Sequence, residues 1–354
     1  MSHPKVLIYN PGDDAGDVYS LLEKAGCTLF MGKASWHTPR DDNESDMCAA
    51  AKDADAVTGR SLRTGPITGR IMDSAPALRI IAKSTIGVDD VDVEAATVRG
   101  ILVTNAPIES NWGGVAEGTM AMILTLLKRT RERDESVKQG KWRDPALNGL
   151  YLGGRQDGYP GLTVGLVGLG RIARRVVELL TPWKTRILAY DPYLDRPQFA
   201  KAGVEQVDLS TLLRESDIIS LHPILTKESR HMIGKKEFAL MKPSAILINT
   251  SRGEIIDEKA LAEALQAGRP AAAGLDAFEQ EPLPADSPLR KFGHRVLLSP
   301  HMVSATQGES RRAGPEYAIR AVLAALNGEV PESVYNRDVI PRWVERFGGR
   351  KALG

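Results

Sequence analysis

Three short apolar runs in the second half of the chain end in residues able to do chemistry. Residues 245–248 lead into Asn249-Thr250-Ser251-Arg252-Gly253, residues 271–275 into Asp276, Glu279 and Glu281, and residues 296–298 into Ser299-Pro300-His301. Histidine titrates near neutrality and can pass a proton to and from a hydroxyl. A carboxylate beside it favours the imidazolium and fixes its tautomer. An arginine fork can hold a carboxylate and polarise a carbonyl. An Arg, a Glu and a His brought together would suit hydride transfer to or from a carbon bearing a hydroxyl, given a nicotinamide cofactor. Spacing alone does not choose the histidine: His222, after residues 218–221, is as well placed as His301, and His231 and His294 compete more weakly. A core histidine and a surface ion-pair arginine would account for the same residue types.

A cofactor signature stands nearby. The apolar run at residues 162–167 is followed by Gly168-Leu169-Gly170-Arg171-Ile172-Ala173, an amphipathic run to Leu180, and a second apolar run, residues 187–190, that stops at Asp191. Strand, glycine turn, helix, strand and acid form the dinucleotide-binding βαβ unit. Gly168 permits the tight turn, and Gly170 lets backbone approach a pyrophosphate. The helix N-terminus offers unpaired N–H groups and a positive dipole end. Asp191 can accept both ribose hydroxyls of NAD and would repel the extra phosphate of NADP. Ala173 takes the third glycine's place, which the motif tolerates.

The elements around these residues read as alternating strands and helices, which argues for an α/β fold with parallel sheets. In the first half, strands are expected at residues 5–10, 54–58, 79–82 and 101–104. Helices are expected near 18–25, 68–74 and 91–99, with a turn at 11–14. A long apolar helix from Gly114 to Arg129 is expected to be buried nearly all round. Residues 139–161 read as an extended arm without clear elements, and a helix at 309–326 is followed by a proline-containing tail with Trp343.

The chain has 354 residues, enough for about two domains. Its net charge of +1 favours neither nucleic acid nor a membrane surface as partner. Cys27 and Cys48 make no disulfide framework and no metal-ligand spacing. The N-terminus lacks a secretory leader and no run reaches membrane-span length, so a cytoplasmic protein without a metal is expected.

From about Ile80 onward the chain resembles the D-isomer-specific 2-hydroxyacid dehydrogenase family, which includes phosphoglycerate dehydrogenases and glyoxylate and hydroxypyruvate reductases. The likeness rests on motifs in the right order: Ile86-Gly87-Val88-Asp89-Asp90-Val91-Asp92, with Asp90 for the usual Asn; Val115-Ala116-Glu117; Tyr190-Asp191-Pro192-Tyr193; Asn249 to Gly253; Gly274 to Leu283; and Ser299-Pro300-His301. The resemblance implies an NAD-dependent enzyme that interconverts a D-2-hydroxy acid and a 2-oxo acid. It implies Arg252 as substrate-binding arginine, His301 as acid/base and Glu281 as its partner. The cofactor set becomes Gly168, Gly170, Arg171, Ile172, Asp191, His222, Thr250, Asp276 and Thr119. Substrate contacts fall to the backbone at Ile86 and Gly87, to Arg252, and to Arg60 if a phosphate is present.

The family topology further implies two Rossmann-like doubly wound domains. The first is a discontinuous, flavodoxin-like substrate domain at 1–110 plus 306–354; the second is an NAD-binding Rossmann domain at 111–305. The family dimerises through the cofactor domain and its arm, which implies a homodimer and suits residues 139–161. Alternatives within the resemblance are an NADH-sensing corepressor-like protein and a branch acting on phosphoglycerate or phosphite. Val303 replaces a common family glycine and is expected to narrow the nicotinamide pocket. Trp112 could wall the substrate pocket or plug the hinge.

Overall fold

A computed structural model describes residues 3–11, 16–32, 43–60, 66–305 and 310–353. The turn expected at 11–14 lies, past Pro11, outside the described residues. The chain forms two compact units, Met1–Trp112 with Thr306–Gly354, and Gly113–Ala305.

The first unit is built on a parallel sheet of β1 (Lys5–Asn10), β2 (Thr28–Met31), β3 (Ala56–Gly59), β4 (Ile80–Lys83) and β5 (Leu102–Thr104), in the order β2-β1-β3-β4-β5. This is the flavodoxin-like order. Its strands bury both faces because side chains alternate. Val6, Ile8, Ala56, Ile80 and Leu102 meet α1 (Gly16–Lys24), the C-terminal α12 (Ser310–Leu326) and α13 (Ile340–Phe347). Leu7, Tyr9, Val57, Ile81 and Val103 meet α2 (Glu44–Ala51), α3 (Gly69–Asp73) and α4 (Val93–Val98). The tail expected around Trp343 is therefore a helix. Pro341 stands in its first turn, where a missing N–H costs nothing, and Trp343 is fully buried, its indole donating to Arg79 O at 2.9 Å.

The second unit has a seven-stranded parallel sheet: β6 (Thr163–Val167), β7 (Arg186–Tyr190), β8 (Glu205–Gln206), β9 (Ile218–Leu221), β10 (Ile246–Asn249), β11 (Ala272–Leu275) and β12 (Val296–Leu298), ordered β12-β11-β10-β9-β6-β7-β8. Counted from β6, the first six are in Rossmann order, with one strand added at the edge. One face packs on α5 (Glu109–Lys128), α7 (Arg171–Leu180) and Phe199 of α8 (Arg196–Ala202). The other packs on α9 (Leu209–Glu215), α10 (Lys235–Leu240) and α11 (Glu258–Gln266). α6 (Thr130–Lys138) follows α5.

Helix α5 begins at Glu109, five residues before the expected start. Gly113-Gly114 reads as a break by propensity, yet a Cβ at Gly114 would lie 3.1 Å from Ser304 O, so close packing accounts for the glycine. Ala116, Met120, Ile123 and Leu127 of α5 lie in the second unit's core. Residues 139–161 carry only one short 3-10 turn, Pro145–Leu147, with Leu152 as a buried anchor. No helix among the described residues is long and apolar enough to cross a membrane.

Candidate active site

The strand order of the second sheet reverses between β6 and β9, and in such sheets a crevice opens beyond the strand ends there. Gly168 leaves β6 at φ 84, and a Cβ on it would stand 3.0 Å from the His222 carbonyl carbon and the Pro223 nitrogen. Only glycine suits both the conformation and the contact. A Cβ on Gly170, by contrast, would meet nothing within 4 Å, so open space lies over the start of α7. The first-turn N–H groups of that helix have no intrahelical acceptor. At the tip of β7, Asp191 accepts from Leu169 N at 2.9 Å and from Tyr193 N at 3.0 Å, which orients its carboxylate beside the glycine turn. Arg174 braces the same turn by donating to Leu169 O at 3.0 Å. Arg171 is exposed and Ile172 half-buried at the helix entrance.

His222 follows β9. Its Nε2 lies 2.9 Å from Ser220 Oγ, and its buried Nδ1 has no hydrogen-bond partner in the protein. Burial pushes its pKa down to about 4, so the ring is neutral at physiological pH. An open cradle, bare helix N–H groups, a terminal acid and an orphaned ring nitrogen fit a dinucleotide.

The ends of β10, β11 and β12 bring the acid–base residues together. His301 Nδ1 lies 2.9 and 3.1 Å from the two oxygens of Glu281, whose Oε1 also accepts from Phe278 N at 3.1 Å. Glu281 is 10 % exposed and His301 28 %, so the pair is mostly dry while the ring remains accessible. The competing histidines have other partners. His231 bonds Glu279 at 2.6 Å and His294 bonds Glu135 at 2.7 Å, both at the surface.

Asp276 is almost fully buried. Its Oδ1 accepts from Ser299 Oγ at 2.5 Å, Met302 N at 2.9 Å and Val303 N at 3.1 Å. Burial raises its pKa, against the pull of the Ser299 hydroxyl and of His301. The carboxylate thus grips the segment that carries His301. Arg252 is half-buried and donates to Ser251 O at 2.8 Å. Its turn is shaped by Asn249, which donates to Arg252 O and accepts from Ser251 N and Oγ. Thr250 Oγ1 meets Thr119 Oγ1 at 2.9 Å, and Thr119 also donates to Val115 O. Thr119 is fully buried behind Thr250.

Ile86, Gly87 and Arg60 belong to the first unit. Ile86 O accepts from Asn105 Nδ2 at 2.9 Å and Gly87 O from the Thr85 hydroxyl at 3.0 Å, whereas no described group accepts from either N–H. Beneath them the fully buried Lys83 donates to Asp90 at 2.6 Å, Tyr9 Oη at 2.6 Å and Arg60 O at 2.7 Å. This buried network escaped the sequence reading, although the unusual Asp90 was its one visible sign: a carboxylate there needs a cation. Gly253 stands in the Asn249–Gly253 motif, and its task shows only in three dimensions. A Cβ on it would stand 1.8 Å from Phe278 C, so the Glu281 loop lies directly on the residue after Arg252.

A doubly wound sheet with a dinucleotide cradle and a histidine–carboxylate pair beside it defines an NAD-dependent oxidoreductase acting on a CH–OH group. Comparison with known proteins narrows the class. The model of the D-isomer specific 2-hydroxyacid dehydrogenase NAD binding domain matches residues 120–303. A glyoxylate reductase of Korarchaeum cryptofilum is 41% identical over 86% of this chain and 90% of its own length. A D-3-phosphoglycerate dehydrogenase of Methanocaldococcus jannaschii is 38% identical over 98% of this chain, which spans 62% of that relative. Among solved structures, a D-lactate dehydrogenase from Aquifex aeolicus complexed with NAD and lactic acid superposes with a TM-score of 0.78 at 28% identity, covering 92% of this chain and 96% of that one. The chain belongs to the D-isomer specific 2-hydroxyacid dehydrogenase family.

Proposed function

We propose that this enzyme reduces a small 2-oxo acid to the D-2-hydroxy acid with His301 as proton donor, and runs the reverse reaction with His301 as base. The observation that carries this reading is the contact of His301 Nδ1 with both oxygens of the shielded Glu281. Glu281 accepts the Nδ1 proton and so assigns Nε2 to the reacting oxygen. Arg252 holds the substrate carboxylate and polarises the carbonyl. The N–H groups of Ile86 and Gly87, from which no described group accepts, support a substrate-binding role for the first unit. Gly168, Gly170, Arg171, Ile172, Asp191, His222, Thr250 and Asp276 hold the dinucleotide, with Thr119 acting through Thr250. When bound, NADH supplies the hydride that reaches the carbonyl carbon. His301 then matters most as charge grows on the oxygen, since proton donation there strengthens towards the transition state.

The first unit is the substrate domain and the second the cofactor domain. Glyoxylate is the first substrate to try, given the names of the relatives, and a phosphorylated oxo acid is the second because Arg60 stands in the substrate unit. Exposed Trp142, Leu150 and Tyr151 on the arm support a homodimer formed through residues 139–161. Two free cysteines suit a cytoplasmic location.

The test is a panel of 2-oxo acids with NADH and NADPH in parallel, on the parent and on His301→Ala. Reduction with NADH preferred is expected, and turnover in the variant should fall on the order of a hundredfold or more while NADH still binds. Undiminished turnover in His301→Ala would remove the assignment.

A further inference from the structure

We propose that Gly118 and Val303 are a size-matched pair whose fit positions His301. The inference rests on the reading of His301 as proton donor. His301 has φ 55, a left-handed conformation that a residue with a Cβ keeps only where its surroundings impose it. On one side its own N–H closes onto Ser299 O at 3.0 Å, and Ser299 is bonded to Asp276. On the other side Met302 N and Val303 N both donate to Asp276. These bonds tie down amides at the edge facing β11. A second restraint comes from α5.

A Cβ built on Gly118 would stand 2.1 Å from Val303 Cγ2 and 2.5 Å from Val303 O. A Val303 methyl therefore fills the volume that a side chain at position 118 would take. Gly114, one turn earlier on the same helix face, would bring a Cβ to 3.1 Å from Ser304 O. Bare helix backbone forms the seat, and the segment after His301 lies directly on it. Val303 thus turns a methyl onto α5, which the expectation of a narrowed nicotinamide pocket did not foresee. Glycine inside a helix opposes propensity, and this close approach explains its presence at position 118. Residue 303 and the backbone at 118 act through His301, so they are positioning residues.

The experiment uses the full chain with Gly118→Ala and, separately, Val303→Ala. Turnover, substrate KM, NADH affinity, thermal unfolding and the proton NMR signal of the hydrogen-bonded His301 Nδ1–H are measured. Gly118→Ala is expected to lower kcat between about tenfold and a hundredfold through misplacement of the ring, to shift or abolish the Nδ1–H signal, and to leave NADH affinity nearly unchanged. Parental turnover in Gly118→Ala overturns the proposal. If Gly118→Ala does not fold, Val303→Ala decides: it empties the seat without touching the helix. It should lower kcat while KM and NADH affinity hold, and a parental kcat overturns the proposal. If the parent turns over no oxo acid, the proposed function fails, and the Nδ1–H signal alone judges the pair. An unchanged signal in Gly118→Ala then overturns it.

Discussion

His222 ties the cofactor crevice to pH. Its neutral ring is imposed by burial, which holds the folded pKa at about 4 against an ordinary 6.5. The unfolded chain therefore takes up a proton first as pH falls. Above about 6.5 the group contributes nothing, and between there and about 4 it progressively favours unfolding. His222→Gln keeps a polar group near Ser220 without a titrating ring. The melting temperature of the ligand-free variant should fall less than that of the parent between neutral pH and pH about 4.5; equal falls would assign the acid sensitivity elsewhere. At this scale the sequence was legible where chemistry demands a residue type at a strand end. Gly168, Gly170 and Asp191 were readable from spacing. The choice of His301 over His222 needed family likeness, because pairing with Glu281 arises only when two loops from different strands fold together. The partners of His231 and His294 were invisible for the same reason.

Among elements, the loops after β10 and β11 are locked by a missing side chain. Gly253 allows the backbone of Phe278 and Glu279 to rest on the residue next to Arg252. Glu258, at the start of α11, accepts from Glu279 N at 2.6 Å and pins the same loop from the other end. Gly253→Ala should force the loops apart, costing about 1–3 kcal/mol of stability, and should lower turnover because Arg252 and Glu281 move together. Thermal unfolding and steady-state rates check this; a fully active, fully stable variant would show that the loops move independently. The strands were legible to within a residue or two, since buried parallel strands are short continuous apolar runs. The misses share a cause. Gly113-Gly114 hid the start of α5, Pro341 disguised α13 as tail, and the short edge strands β2 and β8 are largely exposed, β2 despite its apolar Leu29-Phe30-Met31. In each, tertiary packing or edge position overrode the local pattern.

The whole molecule joins two units of similar grammar, and only the second carries a glycine fingerprint. Its arm leaves Trp142 74 % exposed and Tyr151 52 % exposed, aromatic surface that a second copy could cover. Sedimentation at micromolar concentration should find the parent dimeric and Trp142→Asp/Tyr151→Asp shifted towards monomer. A monomeric parent would end the homodimer reading. The discontinuity of the first unit was not legible from periodicity, which carries no record of which distant helix closes which sheet.

That discontinuity has a consequence for how the protein is made. One face of the first sheet is covered by Ile319, Val322, Leu326 and Trp343, residues translated long after β5. On the ribosome, β1 to β5 therefore emerge with that face covered by α1 alone. The entire second unit is synthesised, and free to collapse, before the missing cover arrives. The nascent chain thus passes through a stage in which the second unit is complete and the first still displays much of an apolar sheet face, the stage at which a chaperone or an aggregation partner would find it.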